Sequence, residues 1–80
     1  MVEGGYRKGI PDILIYTPSQ GFSGLALELK TMKGRPSPEQ LDWVERLKLY
    51  GWDAHVVKGY EAACKKLFEY FPELDEPTAH

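Results

Sequence analysis

Three charged residues lie within the most apolar part of this 80-residue sequence. Asp12 opens one apolar run, and Glu28 and Lys30 close another beyond a glycine-rich turn. The runs predict β-strands from Asp12 to Thr17 and from Leu25 to Thr31. A charge buried in a strand destabilises a fold unless it is paired or binds a metal ion. Two acids and a lysine in this setting therefore indicate a metal site.

The second strand places its charged residues on one face, because side chains alternate along a strand. One face carries Leu25, Leu27 and Leu29, and the other carries Ala26, Glu28 and Lys30. We expect the leucines to face a core, while the small Ala26 leaves space for a ligand to approach. If Asp12 lies beside Glu28, their carboxylates can share one hard divalent cation.

The lengths of the connections predict the topology of the sheet. Residues 18–24 are too few for a helical crossover, so the first two strands should form an antiparallel hairpin. A third strand is predicted from Trp52 to Val57, after a helix, which favours parallel pairing with the strand that carries Glu28.

The first helix has nearly all the signals of a helix start. Ser37 suits the N-cap, Pro38 the first helical position, and Gln40 the capping-box position. The helix should run from Pro38 to Tyr50 and end before Gly51. We expect its sheet-facing stripe to consist of Leu41, Val44 and Leu47.

A second helix is predicted from Tyr60 to Phe71. Its buried side chains should be Ala63, Leu67 and Phe71, with Tyr60 and Phe68 alongside. The predicted fold class is α/β, a small mixed β-sheet of three strands flanked by helices. The domain would span residues 1–80, with a loop over 1–10, a core over 11–71 and an acidic tail over 72–80.

Three residues that often carry chemistry have ordinary structural interpretations. The single cysteine, Cys64, lies at helical spacing among apolar residues and is interpreted as core. We interpret His55 as a hydrogen-bonded sheet residue and Trp43 as a residue at the core edge rather than a base-stacking one. No apolar run approaches the about 20 residues of a membrane span, and no leader is visible, so we expect no membrane partner and a cytoplasmic location.

The net charge of −2 disfavours a nucleic-acid partner, but its distribution weakens that objection. Four of the twelve acids lie in the last twelve residues, which contain no Lys or Arg. The bases Arg7, Lys8, Lys33 and Arg35 flank the two predicted strands and could follow a DNA backbone. An ordinary solvated surface is the alternative interpretation for each of them.

The motifs together resemble the virus-type replication-repair nuclease (VRR-NUC) domain of the PD-(D/E)xK superfamily. The resemblance consists of Gly9-Ile10-Pro11-Asp12, then Glu28-Leu29-Lys30, then Ser37-Pro38-Glu39-Gln40, and it covers roughly residues 3–71. It implies an endonuclease with Mg²⁺ or Mn²⁺ held by Asp12, Glu28 and the Leu29 carbonyl. Lys30 would orient the attacking water or stabilise the transition state, and Gln40 would lie near the water or the scissile phosphate.

The resemblance also implies partners. Short stand-alone members look like homodimeric DNA-repair nucleases of phage origin that act on branched DNA such as Holliday junctions. The family begins with a glutamate-bearing helix and a strand, and neither precedes Pro11; Glu3 cannot be assumed to replace that glutamate. Either the domain is a shortened form or a second subunit covers the exposed surface, and we expect a homodimer.

Two other classes of function remain compatible with the sequence. Without the first-helix glutamate, the domain could bind DNA and not cleave it. Alternatively, Asp12, Glu28 and Lys30 could form a buried ion network in a structural or assembly protein. Metal binding, DNA binding and cleavage separate these hypotheses.

Overall fold

A computed structural model describes residues 9–74 of the chain. The elements are β1 (Ile13–Ile15), β2 (Leu25–Lys30), α1 (Pro38–Leu49), β3 (Asp53–Lys58), α2 (Tyr60–Tyr70) and a 3₁₀ turn (Pro72–Leu74). The predicted α/β class is confirmed. Neither helix in this part of the chain combines the length and apolar character needed to cross a membrane. Residues 1–8 of the predicted loop and 75–80 of the predicted tail lie outside the described residues.

Every predicted strand and helix is present, but several ends differ. The largest difference is in β1, which has three residues, Ile13–Ile15, instead of the predicted run from Asp12 to Thr17. Pro11 and Pro18 flank this edge strand, and proline cannot donate a ladder hydrogen bond. At the other end of the chain, the backbone continues past the predicted core boundary into the 3₁₀ turn Pro72–Leu74.

The sheet has the order β1-β2-β3. β1 is antiparallel to β2, with Ile13 opposite Leu27, and β3 is parallel to β2, with Ala26 opposite Ala54. Both predicted pairings are confirmed. Because β2 is the central strand, its side chains are buried on both faces of the sheet.

The two helices pack on opposite faces of the sheet. The α1 face holds the buried cluster of Ala26, Val44 and Ala54, and the α2 face holds the cluster of Leu25, Leu27, Val57 and Tyr70. Two apolar predictions were wrong, because Leu29 is 40% exposed and Leu41 is also exposed. β1 begins at Ile13, which pairs with Leu27. Leu29 therefore lies beyond the end of β1, the strand that was expected to cover it.

The C-terminal helix buries a residue that its apolar spacing did not predict. Ala63, Leu67 and Phe71 pack against the core as expected, whereas Tyr60 and Phe68 are exposed. Tyr70 is fully buried, and its hydroxyl donates a hydrogen bond to the Thr17 carbonyl at 2.7 Å. A buried tyrosine needs such a partner, and the hairpin loop supplies it.

The start of α1 is attached to the chain segment ahead of β1. Ser37 and Gln40 form the predicted capping box. Gly9 has a φ of +89°, and a Cβ there would lie 2.7 Å from the carbonyl carbon of Glu39 in the first turn of α1. Only glycine permits this approach. The segment from Gly9 to Asp12 is therefore held against the helix start.

Candidate active site

Glu28 is the only buried charged residue in the part of the chain that the structure describes, with 1% of its surface exposed. It lies on the central strand, opposite Val56 of β3. Alternation along β2 places it on the same face as Ala26, which packs with α1. The predicted separation of Glu28 from the leucine face is confirmed by these contacts.

Two polar side chains contact one oxygen of Glu28. Gln40 donates from Nε2 to Glu28 Oε2 at 2.8 Å, and the Nζ atom of Lys30 lies 3.5 Å from the same oxygen. The Oε1 atom of Gln40 accepts the backbone N–H of Ser37 at 2.8 Å. One amide therefore closes the capping box and holds the buried carboxylate. The predicted position of Gln40 near the attacking water or the scissile phosphate stays a prediction.

The second oxygen of Glu28, Oε1, is buried. Within residues 9–74 no group forms a hydrogen bond with it. A buried polar atom without a partner costs about 1–3 kcal/mol, and more when it is charged. An ion pair with Lys30 does not satisfy the whole carboxylate. The free oxygen is therefore suited to a ligand that is not part of the protein chain.

Asp12 lies next to Glu28 at the end of the hairpin. Continuing the pairing of Ile13 with Leu27 by one residue places Asp12 opposite Glu28. Asp12 Oδ2 accepts the backbone N–H of Leu29 at 2.9 Å. The N–H and C=O of a strand residue point to the same neighbour, so the Leu29 carbonyl also points to the Asp12 side. Asp12 therefore lies beside Glu28, and its side chain is bonded to the main chain of Leu29.

The local electrostatics disfavour the ionised form of Glu28. Burial raises the pKa of Glu28 above its usual value, and the negative charge of Asp12 raises it further. Lys30 opposes the shift without cancelling it. A cation bound between Asp12 and Glu28 would favour both carboxylates in their charged form. The site thus has the charge balance of a cation site.

The donor set matches a hard divalent cation. Among residues 9–74, no group of three or more His, Cys, Asp or Glu side chains could hold a metal. Mg²⁺ uses one or two carboxylates and keeps several waters, and the two acids with the Leu29 carbonyl fit this pattern.

The predicted DNA-contacting bases are only partly described. Lys33 and Arg35 are exposed in the loop that joins Lys30 to the start of α1. They therefore follow the site directly along the chain. Arg7 and Lys8 lie outside the described residues.

The residues given ordinary interpretations lie on different elements. His55 Nε2 lies 2.6 Å from Asp53 Oδ1, and its register position opposite Leu27 places it on the α2 face. Cys64 in α2 is half-buried. Trp43 in α1 is also half-buried, with the Arg46 guanidinium 5.8 Å from its ring centre.

Sequence reasoning named Asp12, Glu28, Lys30 and Gln40, which the structure brings together, but missed how they are connected. The hydrogen bond from Gln40 to Glu28 depends on the position of α1 over β2, which residue spacing does not give. The bond from Leu29 to Asp12 depends on the hairpin register. The short loop between the two strands predicted the hairpin, but it did not predict the residue at which strand pairing stops.

The fold and the site together define a mixed α/β domain with an acidic, lysine-containing site on its central strand. The VRR-NUC domain model matches residues 3–61, and the chain belongs to this family. Membership implies a nuclease-type function.

One solved structure, described as a VRR_NUC domain protein, is similar with a TM-score of 0.82 and 28% sequence identity. The match covers 85% of this chain and 57% of that one, so this chain spans little more than half of the similar protein. Comparison with the curated proteins gave no match.

Proposed function

We propose that the protein is a metal-dependent DNA endonuclease that hydrolyses phosphodiester bonds and selects branched or junction DNA. The observation that carries the proposal is the buried Oε1 atom of Glu28, which has no hydrogen-bond partner and lies in a site that also contains Asp12 and Lys30. The nuclease-type function of the family supports the same conclusion.

Asp12, Glu28 and the Leu29 carbonyl would hold Mg²⁺ or Mn²⁺. When bound, such a cation makes a nucleophilic water more acidic and neutralises charge on the phosphate oxygens. Asp12 has a second role, because its hydrogen bond to the Leu29 N–H fixes the main chain that carries the third donor.

Lys30 acts directly on the reacting groups. Its side chain is partly exposed, and Glu28 Oε2 holds the ammonium group at 3.5 Å. From this position Lys30 donates a hydrogen bond to a non-bridging phosphate oxygen or to the attacking water. The water oxygen forms a bond to phosphorus and gives up a proton to solvent while the bond to the leaving sugar oxygen breaks, and the leaving oxygen takes a proton from solvent.

Gln40 positions the carboxylate. Its Oε1 is fixed by Ser37 and its Nε2 holds Glu28 Oε2, so Glu28 Oε1 remains available to the cation. Lys33 and Arg35, with Arg7 and Lys8, supply phosphate contacts that orient the DNA. These contacts make the affinity for DNA fall with rising salt concentration.

We also propose that the protein acts as a homodimer. An apolar groove of about 790 Å³ runs between α2 and the sheet edge formed by β1, and Ile13, Leu29 and Leu67 are among its lining residues. Unpaired edges with apolar surface favour association. Light scattering at micromolar concentration should give twice the monomer mass, and a monomer mass would contradict this proposal.

The activity is tested by cleavage of labelled junction and linear duplex DNA in Mg²⁺, Mn²⁺, Ca²⁺ or chelator. Cleavage should require Mg²⁺ or Mn²⁺ and favour the junction, since Ca²⁺ prefers more ligands and longer bonds. The matched variant is Glu28→Gln, which keeps the volume and removes the charge. It should lose cation affinity, measured by calorimetry, and about 10²–10³-fold or more of the cleavage rate.

The other results identify the rival functions. Cation or DNA binding without any cleavage indicates a DNA-binding protein on a nuclease fold. No binding of either ligand, with a lower melting temperature in Glu28→Gln, indicates a structural ion network. Equal cleavage in chelator contradicts the proposed chemistry.

A further inference from the structure

An aromatic pair, the exposed Tyr16 and the half-buried Trp52, lies on the same sheet face as the candidate active site. We define the aromatic platform as Tyr16 and Trp52. The ring centres of Tyr16 and Trp52 are 5.5 Å apart, with the rings nearly perpendicular at 86°. Trp52 also packs against the buried cluster on the α1 face. This fixes Tyr16 on the face that carries Glu28.

The main chain around Trp52 holds the platform in a fixed position. A Cβ at Gly24 would lie 2.6 Å from both the Trp52 ring and the Ile15 carbonyl oxygen, so the Trp52 ring sits directly against the main chain. The backbone around it is also fixed, because Trp52 N–H donates to the Leu47 carbonyl at 2.9 Å and Ser23 N–H donates to the Gly51 carbonyl at 2.9 Å.

Tyr16 contributes little to the core. It is 71% exposed. Burial therefore does not account for its ring, although the ring packs against Trp52. A ring that is held in place and still exposed can stack on a planar ligand with little loss of conformational entropy.

The platform is continuous with the active site. Asp12, Leu14 and Tyr16 are alternate residues along the segment that contains β1, and Leu14 packs against the α1-face cluster between the other two. Four residues of extended chain span about 13 Å. At the 3.4 Å rise of one DNA strand, this distance corresponds to roughly four nucleotides.

We propose that the aromatic platform stacks unpaired nucleotides of the DNA strand that leaves the scissile phosphate. This inference rests on the proposed nuclease function and specifies its substrate as DNA with a single-stranded flank beside the cut. Every base presents a face to an aromatic ring, so stacking is independent of sequence. Bases inside a duplex are already stacked on each other and cannot use the platform.

The proposal is tested by fluorescence anisotropy with a labelled single-stranded oligonucleotide and a blunt duplex, both in Ca²⁺ to suppress cleavage. Tyr16→Ala should weaken single-strand binding about 10-fold, within the usual range for one stacked base. Duplex binding should change less than about twofold. Tyr16→Phe keeps the ring and should bind like the native protein.

A matched control is Leu49→Ala, which removes an exposed apolar side chain at the end of α1. It should leave single-strand binding unchanged. Melting curves of all variants exclude unfolding as the cause of any loss. Equal loss on both ligands, or no loss in Tyr16→Ala, overturns the proposal.

The binding test is independent of the activity test. If the native protein cleaves no DNA but Tyr16→Ala selectively loses single-strand binding, the platform is supported and the nuclease proposal fails. If cleavage occurs and Tyr16→Ala binds both ligands normally, the nuclease proposal is supported and the platform fails.

Discussion

The two faces of β2 are equally buried and have opposite chemistry. Leu25 and Leu27 face α2 within an apolar cluster, whereas Ala26 and Glu28 face α1, and all four are at most 2% exposed. The α2 face removes apolar surface from water, which stabilises the fold. The α1 face buries a carboxylate with one unpartnered oxygen, which destabilises it. The two faces are therefore equally buried for different reasons. The α2 face packs the apolar core, and the α1 face holds a candidate ligand site.

The sharpest test compares the changes in the free energy of unfolding caused by Leu27→Ala and by Glu28→Gln. Leu27→Ala should lower the free energy of unfolding by about 2–5 kcal/mol, because it leaves a cavity in the α2-face core. Glu28→Gln should change it far less in the absence of metal, since it removes a charge that burial already disfavours. Urea denaturation of both variants measures the difference. Equal destabilisation would mean that Glu28 is structural.

A second prediction separates charge from packing within the α1 face. Lys30→Met should lower the cleavage rate by about 10²–10³-fold, the usual loss for one preorganised electrostatic group. Mn²⁺ binding should persist and even tighten, because a like charge has been removed and both carboxylates remain. Calorimetry and cleavage assays on the same protein check this. Lost metal binding, or full cleavage, would contradict the role given to Lys30.

Gln40 forms part of the capping box and also contacts Glu28, so Gln40→Ala should affect both stability and cleavage. Loss of the capping box should destabilise the protein by about 1 kcal/mol. Cleavage should also fall because Glu28 Oε2 loses its 2.8 Å partner. Ser37→Ala is the control, since it breaks the cap and keeps the Gln40 contact with Glu28. A cleavage loss of equal size in both variants would refute a specific positioning role.

The smallest expected effect is a pH dependence of the free energy of unfolding that comes from Glu28 on the α1 face. The pKa of Glu28 is raised in the folded protein, so the native state holds more protons than the unfolded state between the usual value of 4.5 and the folded value. Stability should therefore fall as pH rises through that window and then level off. Glu28→Gln should remove this component, as measured by denaturation across pH, whereas a rise in stability there would contradict the assignment.

Much of the site was visible in the sequence because it depends on local rules. The Ser37-to-Gln40 spacing predicts the capping box, and alternation places Glu28 and Lys30 on one face. The short connection predicts the hairpin that brings Asp12 close to Glu28. The buried Tyr70 and the exposed Leu29 were not predictable, because their environments depend on distant residues.

The sequence by itself determined the order and type of the elements, because periodicity, turn composition and capping signals act within a few residues. It also determined which charges would enter the apolar strands. Only the tertiary structure decided that Gln40 holds Glu28, that one oxygen of Glu28 has no partner, and that Tyr16 packs on Trp52. Each of these depends on how far one element lies over another. That placement is set by packing across the whole domain rather than by the spacing of neighbouring residues.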